Sequence, residues 1–308
     1  MNLKGRDLLS LGDLTLEEIE EILETGSMLK RMKRSNIVHT PLQGKTLGMI
    51  FEKPSTRTRV SFEVAMYELG GHALYLGAQD LQLKRGETIA DTARTLSRYL
   101  NGIMARVFSH KTLEELAEHA SIPVINGLSD LYHPCQVLGD LMTVKEKKGS
   151  LKGVTMAYIG DGNNVCNALL LGGAKVGMRI RVASPPFYEP PAFVVEMAQA
   201  EALKSGATIK IFSNPEEAVE KADAVYTDVW ASMGQEAEAV ERKNVFSTYQ
   251  MNSSLLTFAS PEAVVLHCLP AHRGEEITDE VMDGPQSVVF DQAENRLHVQ
   301  KAVLALLL

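Results

Sequence analysis

Two arginines stand in an unusual place in the segment Lys53-Pro54-Ser55-Thr56-Arg57-Thr58-Arg59. If a helix opens at Ser55, both fall in its first turn, where the dipole normally favours acids. Ser55 is a good N-cap, and the first backbone N–H groups of such a helix lack intrahelical acceptors. That arrangement binds anions, and the forked guanidiniums of Arg57 and Arg59 suit a phosphate. An ordinary capped helix with a solvated arginine pair is the plainer alternative. Other chemistry-bearing residues gather in His133-Pro134-Cys135-Gln136, Gly160-Asp161-Gly162-Asn163-Asn164, Asp228 to Gly234 and His267-Cys268-Leu269-Pro270.

Each of these segments follows an apolar run that reads as a strand. In the first half the runs are Thr46 to Phe51, Ala73 to Leu76, Ile103 to Val107 and Val124 to Leu128. In the second they are Val154 to Ile159, Ile180 to Ala183, Thr208 to Phe212, Ala224 to Val229 and Val264 to Leu269. Helical patterns alternate with them. Thr15 to Glu18 is a capping box ahead of Ile19, Ile22 and Leu23, and Ser55 opens a helix that stops at Gly70-Gly71. Further helices are read at Ile89 to Leu100, after a cap at Thr112 to Glu115, and at Pro134 to Lys147. The alternation predicts an α/β fold with largely parallel sheets in two similar-sized domains. The seam is placed at the Lys147-Lys148-Gly149-Ser150 cluster. Residues 1–148 and 149–291 form the halves, and a C-terminal helix (about 292–308) is expected to pack back on the first. In such sheets ligands bind beyond the carboxyl ends of the strands. The polar segments, with Arg106 at the end of its strand, are therefore expected to converge on one crevice between the domains.

Composition narrows the function. The 308 residues are 45% hydrophobic and 23% charged, which fits a globular protein and excludes a disordered or fibrous one. Lys plus Arg number 31 against 39 Asp plus Glu, a net charge of −8 with no basic block. Nucleic-acid binding is not expected from that balance. An anionic ligand must instead be met by a local positive site. Three cysteines, Cys135, Cys166 and Cys268, argue against a disulfide framework. No signal peptide or membrane-spanning run is read, so the expected location is the cytoplasm.

Two tempting motifs fail on inspection. Gly160-Asp161-Gly162 lacks the third glycine of a dinucleotide fingerprint, since Val165 stands there, and no acid follows Ile180 to Ala183. Among the eight histidines no His-x-x-x-His spacing occurs, nor any Cys-x-x-Cys, so no metal is expected. On residue type alone, His133 reads as a structural histidine before proline. Gln82 belongs to a solvated loop, Asp228 to a turn cap, and Arg296 to the surface. Cys268 reads as a small buried hydrophobe.

Taken together, Ser-Thr-Arg-Thr-Arg after Lys-Pro, then His-Pro-Cys-Gln, closely resembles the aspartate/ornithine carbamoyltransferase family. Asp228-Val-Trp-Ala-Ser232-Met233-Gly234 and His267-Cys268-Leu269-Pro270 look like its ornithine branch. The resemblance runs from the first helix to Arg296. It implies transfer of the carbamoyl group of carbamoyl phosphate to the δ-amino group of L-ornithine, giving L-citrulline and phosphate in arginine metabolism. It implies that Ser55, Thr56, Arg57 and Thr58 hold the phosphate, that Arg106 and His133 meet the carbamoyl oxygen, and that Gln136 meets the carbamoyl nitrogen. Pro134, Cys135, Leu269 and Arg296 complete the carbamoyl phosphate site. Gln82 would reach it from a neighbouring subunit of a homotrimer or a multiple of trimers. Asn164, Asp228, Ser232 and Met233 would hold ornithine. Cys268 would also border the carbamoyl phosphate site, placed where the δ-amine arrives. An alkyl amine with a pKa near ~10 must lose a proton before it attacks, and Cys268 with Asp228 could take or relay it. No cofactor is implied, because an acyl phosphate is already activated. The rivals are aspartate or putrescine as the amine, or a phosphate-binding regulatory protein that has lost catalysis.

Overall fold

The computed structural model describes residues 3–79, 81–82, 86–231 and 236–308. Ser232, Met233 and Gly234 lie outside the described residues, as do positions 80 and 83–85 beside Gln82. The chain divides into two compact units, Met1–Gly139 with Asn295–Leu308, and Asp140–Glu294.

In the first unit, β1 (Thr46–Phe51), β2 (His72–Gly77), β3 (Gly102–Arg106) and β4 (Val124–Leu128) form a sheet in the order β2-β1-β3-β4. All its pairings are parallel. Parallel strands carry helices on both faces, so central strands read as unbroken apolar runs. β3 is buried along its whole length, whereas the edge strand β2 is largely exposed. The helices are α1 (Leu16–Arg34), α2 (Thr56–Glu68), α3 (Ile89–Leu96), α4 (His110–His119) and the start of α5 (Pro134–Lys148). The capping box of α1 is formed in both directions, Glu18 N–H to Thr15 Oγ1 at 3.2 Å and Thr15 N–H to Glu18 Oε2 at 2.9 Å.

In the second unit, β5 (Thr155–Ile159), β6 (Arg179–Ala183), β7 (Thr208–Phe212), β8 (Ala224–Thr227) and β9 (Val264–His267) run in the order β7-β6-β5-β8-β9, again all parallel. Among the described residues its helices are α6 (Asn164–Lys175), α7 (Ala192–Ser205), α8 (Pro215–Val219), α9 (Ala239–Phe246), α10 (Ser253–Leu256), α11 (Asp279–Met282) and the start of α12 (Val289–Leu307). A buried cluster built on Val225, Val265, Phe246, Tyr249 and Ile277 packs one face of this sheet.

The end of α12 belongs to the first unit. Lys30 Nζ donates to Asn295 Oδ1 at 2.6 Å, and Lys301 Nζ pairs with Glu68 Oε2 at 2.8 Å. Both lysines are buried, so each is matched by a polar partner rather than left in an apolar core.

Each sheet changes direction once. In the first, β1 leads outward to β2 and the chain then returns to β3 on the other side. In the second, β5 leads to β6 and β7 before β8 returns beside β5. Ligands of open parallel sheets bind at the carboxyl ends of the strands flanking such a reversal. In the first unit those ends carry Glu52 to Thr58 and Arg106. In the second they carry Gly160 to Asn163 and Asp228.

Candidate active site

The first unit builds a cationic cluster. Ser55, in extended conformation with φ −159°, caps α2, and its hydroxyl accepts the Thr58 N–H at 3.3 Å. The first-turn amides of Thr56 and Arg57 have no acceptor within the helix, by its own geometry. Arg57 is half-buried and Thr56 exposed. Arg296, on α12, donates from Nη2 to Thr58 Oγ1 at 3.1 Å. Arg106, the last residue of β3, is buried, as are Thr58, His133, Gln136 and Arg296.

His133 records how close these cations lie. Burial holds its imidazole well below the ordinary value of 6.5, and the charges of Arg296, Arg106 and Arg57 push it further the same way. It is therefore neutral at physiological pH. Its Nδ1 is buried and has no hydrogen-bond partner among the described residues. Three guanidiniums and a neutral imidazole around a helix N-terminus form a strongly positive spot on a chain of net charge −8. Cationic groups are kept together at that density where an anion compensates them.

Arg59 does something else. Its Nε donates to Glu63 Oε1 at 2.9 Å and its guanidinium lies 4.1 Å from the Tyr75 ring centre, so Arg57 is the arginine of the pair whose charge acts on His133. Pro134 sits at the first position of α5, where a missing N–H costs nothing. The thiol of Cys135 is buried, donates to Asn126 O at 3.6 Å and is pushed up to about 12 by desolvation. That side chain is structural and not a nucleophile. Gln82 is exposed.

The second unit builds a hydrogen-bonded chain across its sheet reversal. Cys268 Sγ donates to Asp228 Oδ1 at 2.8 Å, and Val229 N–H donates to the same oxygen at 2.8 Å. Asn163 Nδ2 donates to Asp228 Oδ2 at 2.7 Å. Asn163 also caps α6, where Asn164 is the first helical residue. The loop before it explains the two glycines without any nucleotide. A Cβ at Gly162 would lie 2.2 Å from Pro190 N, and Gly160 adopts φ +140°. Asp161 ion-pairs with Arg242 at 3.1 Å, and Arg242 Nη1 also donates to Trp230 O at 3.0 Å. Burial pushes the Asp161 carboxyl up to about 6 against the pull of Arg242.

Cys268 is aimed by its neighbours. His267 Nδ1 accepts the Leu269 N–H at 2.8 Å, which places the ring proton on Nε2, 3.0 Å from Glu276 Oε1. Leu269 takes φ +59°, a region few non-glycine residues occupy, and the His267 bond stabilises it there. Gln292, on α12, accepts the His267 N–H at 2.9 Å and donates to Asp140 Oδ1 at 2.7 Å. Asp228, His267 and Cys268 bring three potential ligand atoms within 4.8 Å of one another. Both nitrogens of His267 and the thiol proton are committed to hydrogen bonds, so the group reads as a proton-handling chain rather than a ligand set. Sequence reading did not single out Asn163, Gln292 or Arg242. An asparagine before a helix signals a cap, but nothing local signals its reach to Asp228.

Two parallel α/β units, one presenting a cationic helix start and the other a carboxylate-bound thiol at its sheet reversal, define a group-transfer protein with an anionic substrate. Residues 6–146 match the family description "Aspartate/ornithine carbamoyltransferase, carbamoyl-P binding domain", and residues 152–307 match "Aspartate/ornithine carbamoyltransferase, Asp/Orn binding domain". The chain belongs to the aspartate/ornithine carbamoyltransferase family. An ornithine carbamoyltransferase of Pyrococcus abyssi is 61% identical over 308 residues, covering 100% of this chain and 97% of that relative. One of Pyrococcus furiosus, named as anabolic, is 60% identical over 100% of this chain and 98% of its own. The solved ornithine carbamoyltransferase from Pyrococcus furiosus superposes with a TM-score of 0.97 at 60% identity, covering 100% and 98% of the two chains. The anabolic enzyme of Campylobacter jejuni gives 0.92 at 44% identity, covering 97% of each.

Proposed function

We propose that the chain transfers the carbamoyl group of carbamoyl phosphate to the δ-amino group of L-ornithine, giving L-citrulline and phosphate. The observation that carries this reading is the gathering of Arg57, Arg106 and Arg296 around neutral His133 and the start of α2. A dianionic acyl phosphate supplies the missing negative charge. Ser55, Thr56, Arg57 and Thr58 take the phosphate through backbone and side-chain donors. Arg106 and His133 meet the carbamoyl oxygen, with Gln136 on the carbamoyl nitrogen and Pro134, Cys135, Leu269 and Arg296 closing the site.

Ornithine is bound through Asn164, Asp228, Ser232 and Met233. Its δ-ammonium gives up a proton to the Asp228 carboxylate of the Cys268–Asp228 pair. The neutral amine then forms a bond to the carbamoyl carbon, and the developing oxyanion is stabilised by the fixed donors of Arg106, His133 and Thr58. The bond from carbon to the phosphate oxygen breaks, the attacking nitrogen passes its surplus proton to the departing phosphate, and phosphate leaves on the arginines that held it. The donor is already activated, so the chemistry draws on no organic cofactor or metal. The working assembly is a homotrimer or a multiple of trimers in the cytoplasm, with Gln82 of one subunit serving the carbamoyl phosphate of the next. The reaction serves arginine biosynthesis.

Radiolabelled carbamoyl phosphate offered with ornithine, aspartate and putrescine in parallel tests the reading. Label transfer to ornithine, with the other two amines at background, is the expected result. Transfer to aspartate or putrescine instead, or to none, overturns it.

A further inference from the structure

The amide of Asn163 faces four partners at once. Its Oδ1 accepts the Val165 N–H at 3.0 Å, the Cys166 N–H at 3.1 Å and the Tyr158 hydroxyl at 3.1 Å. All three are donors, so this atom must be the oxygen and its Nδ2 must point the other way. The Tyr158 hydroxyl is pushed well above its ordinary range, first by burial and then by the charge of Asp228, and stays a donor at any working pH. Nδ2 therefore faces Asp228 Oδ2, at 2.7 Å.

Asp228 has two oxygens and one soft torsion. Val229 N–H and Cys268 Sγ share Oδ1, and Asn163 holds Oδ2. Removing the Asn163 donor leaves the carboxylate pinned on one side only. Resting on the amine-activating role given above to Cys268 and Asp228, we infer that Asn163 is a positioning residue, whose amide fixes the Asp228 carboxylate so that Oδ1 is presented to the Cys268 thiol. It couples two elements at the sheet reversal: the cap of α6, following β5, and the end of β8. Asn164 next to it is the residue assigned to the amino acid, so one loop both binds the substrate and sets the group that takes its proton.

The test separates capping from positioning. Asn163→Ser and Asn163→Thr both keep a helix N-cap. Neither donates to Oδ2 from the position of Nδ2. Two readouts are measured: kcat with ornithine, and the iodoacetamide alkylation rate of Cys268 at fixed pH, by mass spectrometry. Cys135 and Cys166 are buried, with thiols pushed up by desolvation, and stay silent. Asn163→Ser is expected to lower kcat about ten-fold or more, a loss typical of a misplaced proton-transfer group. Carbamoyl phosphate affinity should stay within two-fold. It should also raise the alkylation rate several-fold, because the thiol proton loses its fixed acceptor. In an Asp228→Ala background the same change should leave alkylation unaltered. Unchanged alkylation in a folded Asn163→Ser protein overturns the inference, as does an equal effect of Asn163→Ser with and without Asp228. Asn163→Thr, which adds no charge beside Asp228, gives the same decision if the serine variant does not fold. Alkylation needs no substrate, so an enzyme inactive on ornithine would refute the proposed reaction and still decide the role of Asn163.

Discussion

Cys268 and Asp228, forty residues apart in sequence, meet at 2.8 Å with the thiol donating to Oδ1. The pair sits at the ends of two adjacent parallel strands, β8 and β9, whose register matches Thr227 with His267. The two residues that follow are thereby brought side by side. Adjacent strands of a sheet lie about 4.8 Å apart, close enough for a thiol and a carboxylate to bond. A proton arriving on either group has the other as its immediate neighbour.

Cys268→Ala is expected to lower kcat about 100-fold, the size of effect produced by losing a proton-transfer group. Carbamoyl phosphate affinity should fall less than kcat, because Cys268 only borders a site whose charge comes from the arginines. Steady-state kinetics with calorimetry distinguishes the outcomes. A rise in ornithine KM with kcat intact would mean that Cys268 only packs.

His133 makes stability depend on pH in a defined direction. Its folded-state pKa lies well below the ordinary 6.5, so the unfolded chain binds a proton that the folded chain refuses. The contribution is full above pH 6.5 and is lost as pH falls below it, at about 1.4 kcal/mol per unit. Urea unfolding of wild type and His133→Gln at pH 7.0 and 5.5 should show wild type losing about 1 kcal/mol more than the variant. Equal losses would show that His133 titrates normally in the folded protein.

Gln292 serves the second unit through three bonds. Its amide accepts the buried His267 N–H, and donates to Asp140 Oδ1 and to the Tyr226 hydroxyl at 3.1 Å. Gln292→Leu should cost about 2 kcal/mol, because it removes the partner of a buried backbone donor at the root of the Cys268 loop. Thermal unfolding checks this, and a shift equivalent to less than ~0.5 kcal/mol would show that other groups compensate.

The α/β architecture was legible because hydrophobic pattern and turn residues act locally. The strands read at Thr46 to Phe51, Val124 to Leu128 and Thr208 to Phe212 have the observed bounds. Errors fall where local signals compete. The helix read to Leu100 ends at Leu96. Another begins at His110, before its expected cap at Thr112, behind Ser109 whose side chain makes no capping bond. The His110 N–H donates instead to Asp130 Oδ1 at 2.8 Å, so the capping acceptor comes from twenty residues away. The capped start of α2 at Ser55 was readable because its signal is contiguous. The stacking of Arg59 on Tyr75 was not, since Tyr75 lies in β2, beyond the end of the helix that carries Arg59. The Asn163–Asp228 bond spans 65 positions and the Gln292–Asp140 bond 152, and no local pattern encodes either.

The start of α2 is the proposed seat of the acyl phosphate, and every later step of the reaction depends on it. Isothermal titration of carbamoyl phosphate into wild type and Arg57→Gly tests it most directly. Loss of a guanidinium that pairs with phosphate through charge-assisted bonds is worth about 3 kcal/mol, so affinity should fall about 100-fold while the fold persists. An Arg57→Gly protein that binds carbamoyl phosphate within three-fold of wild type would contradict the account.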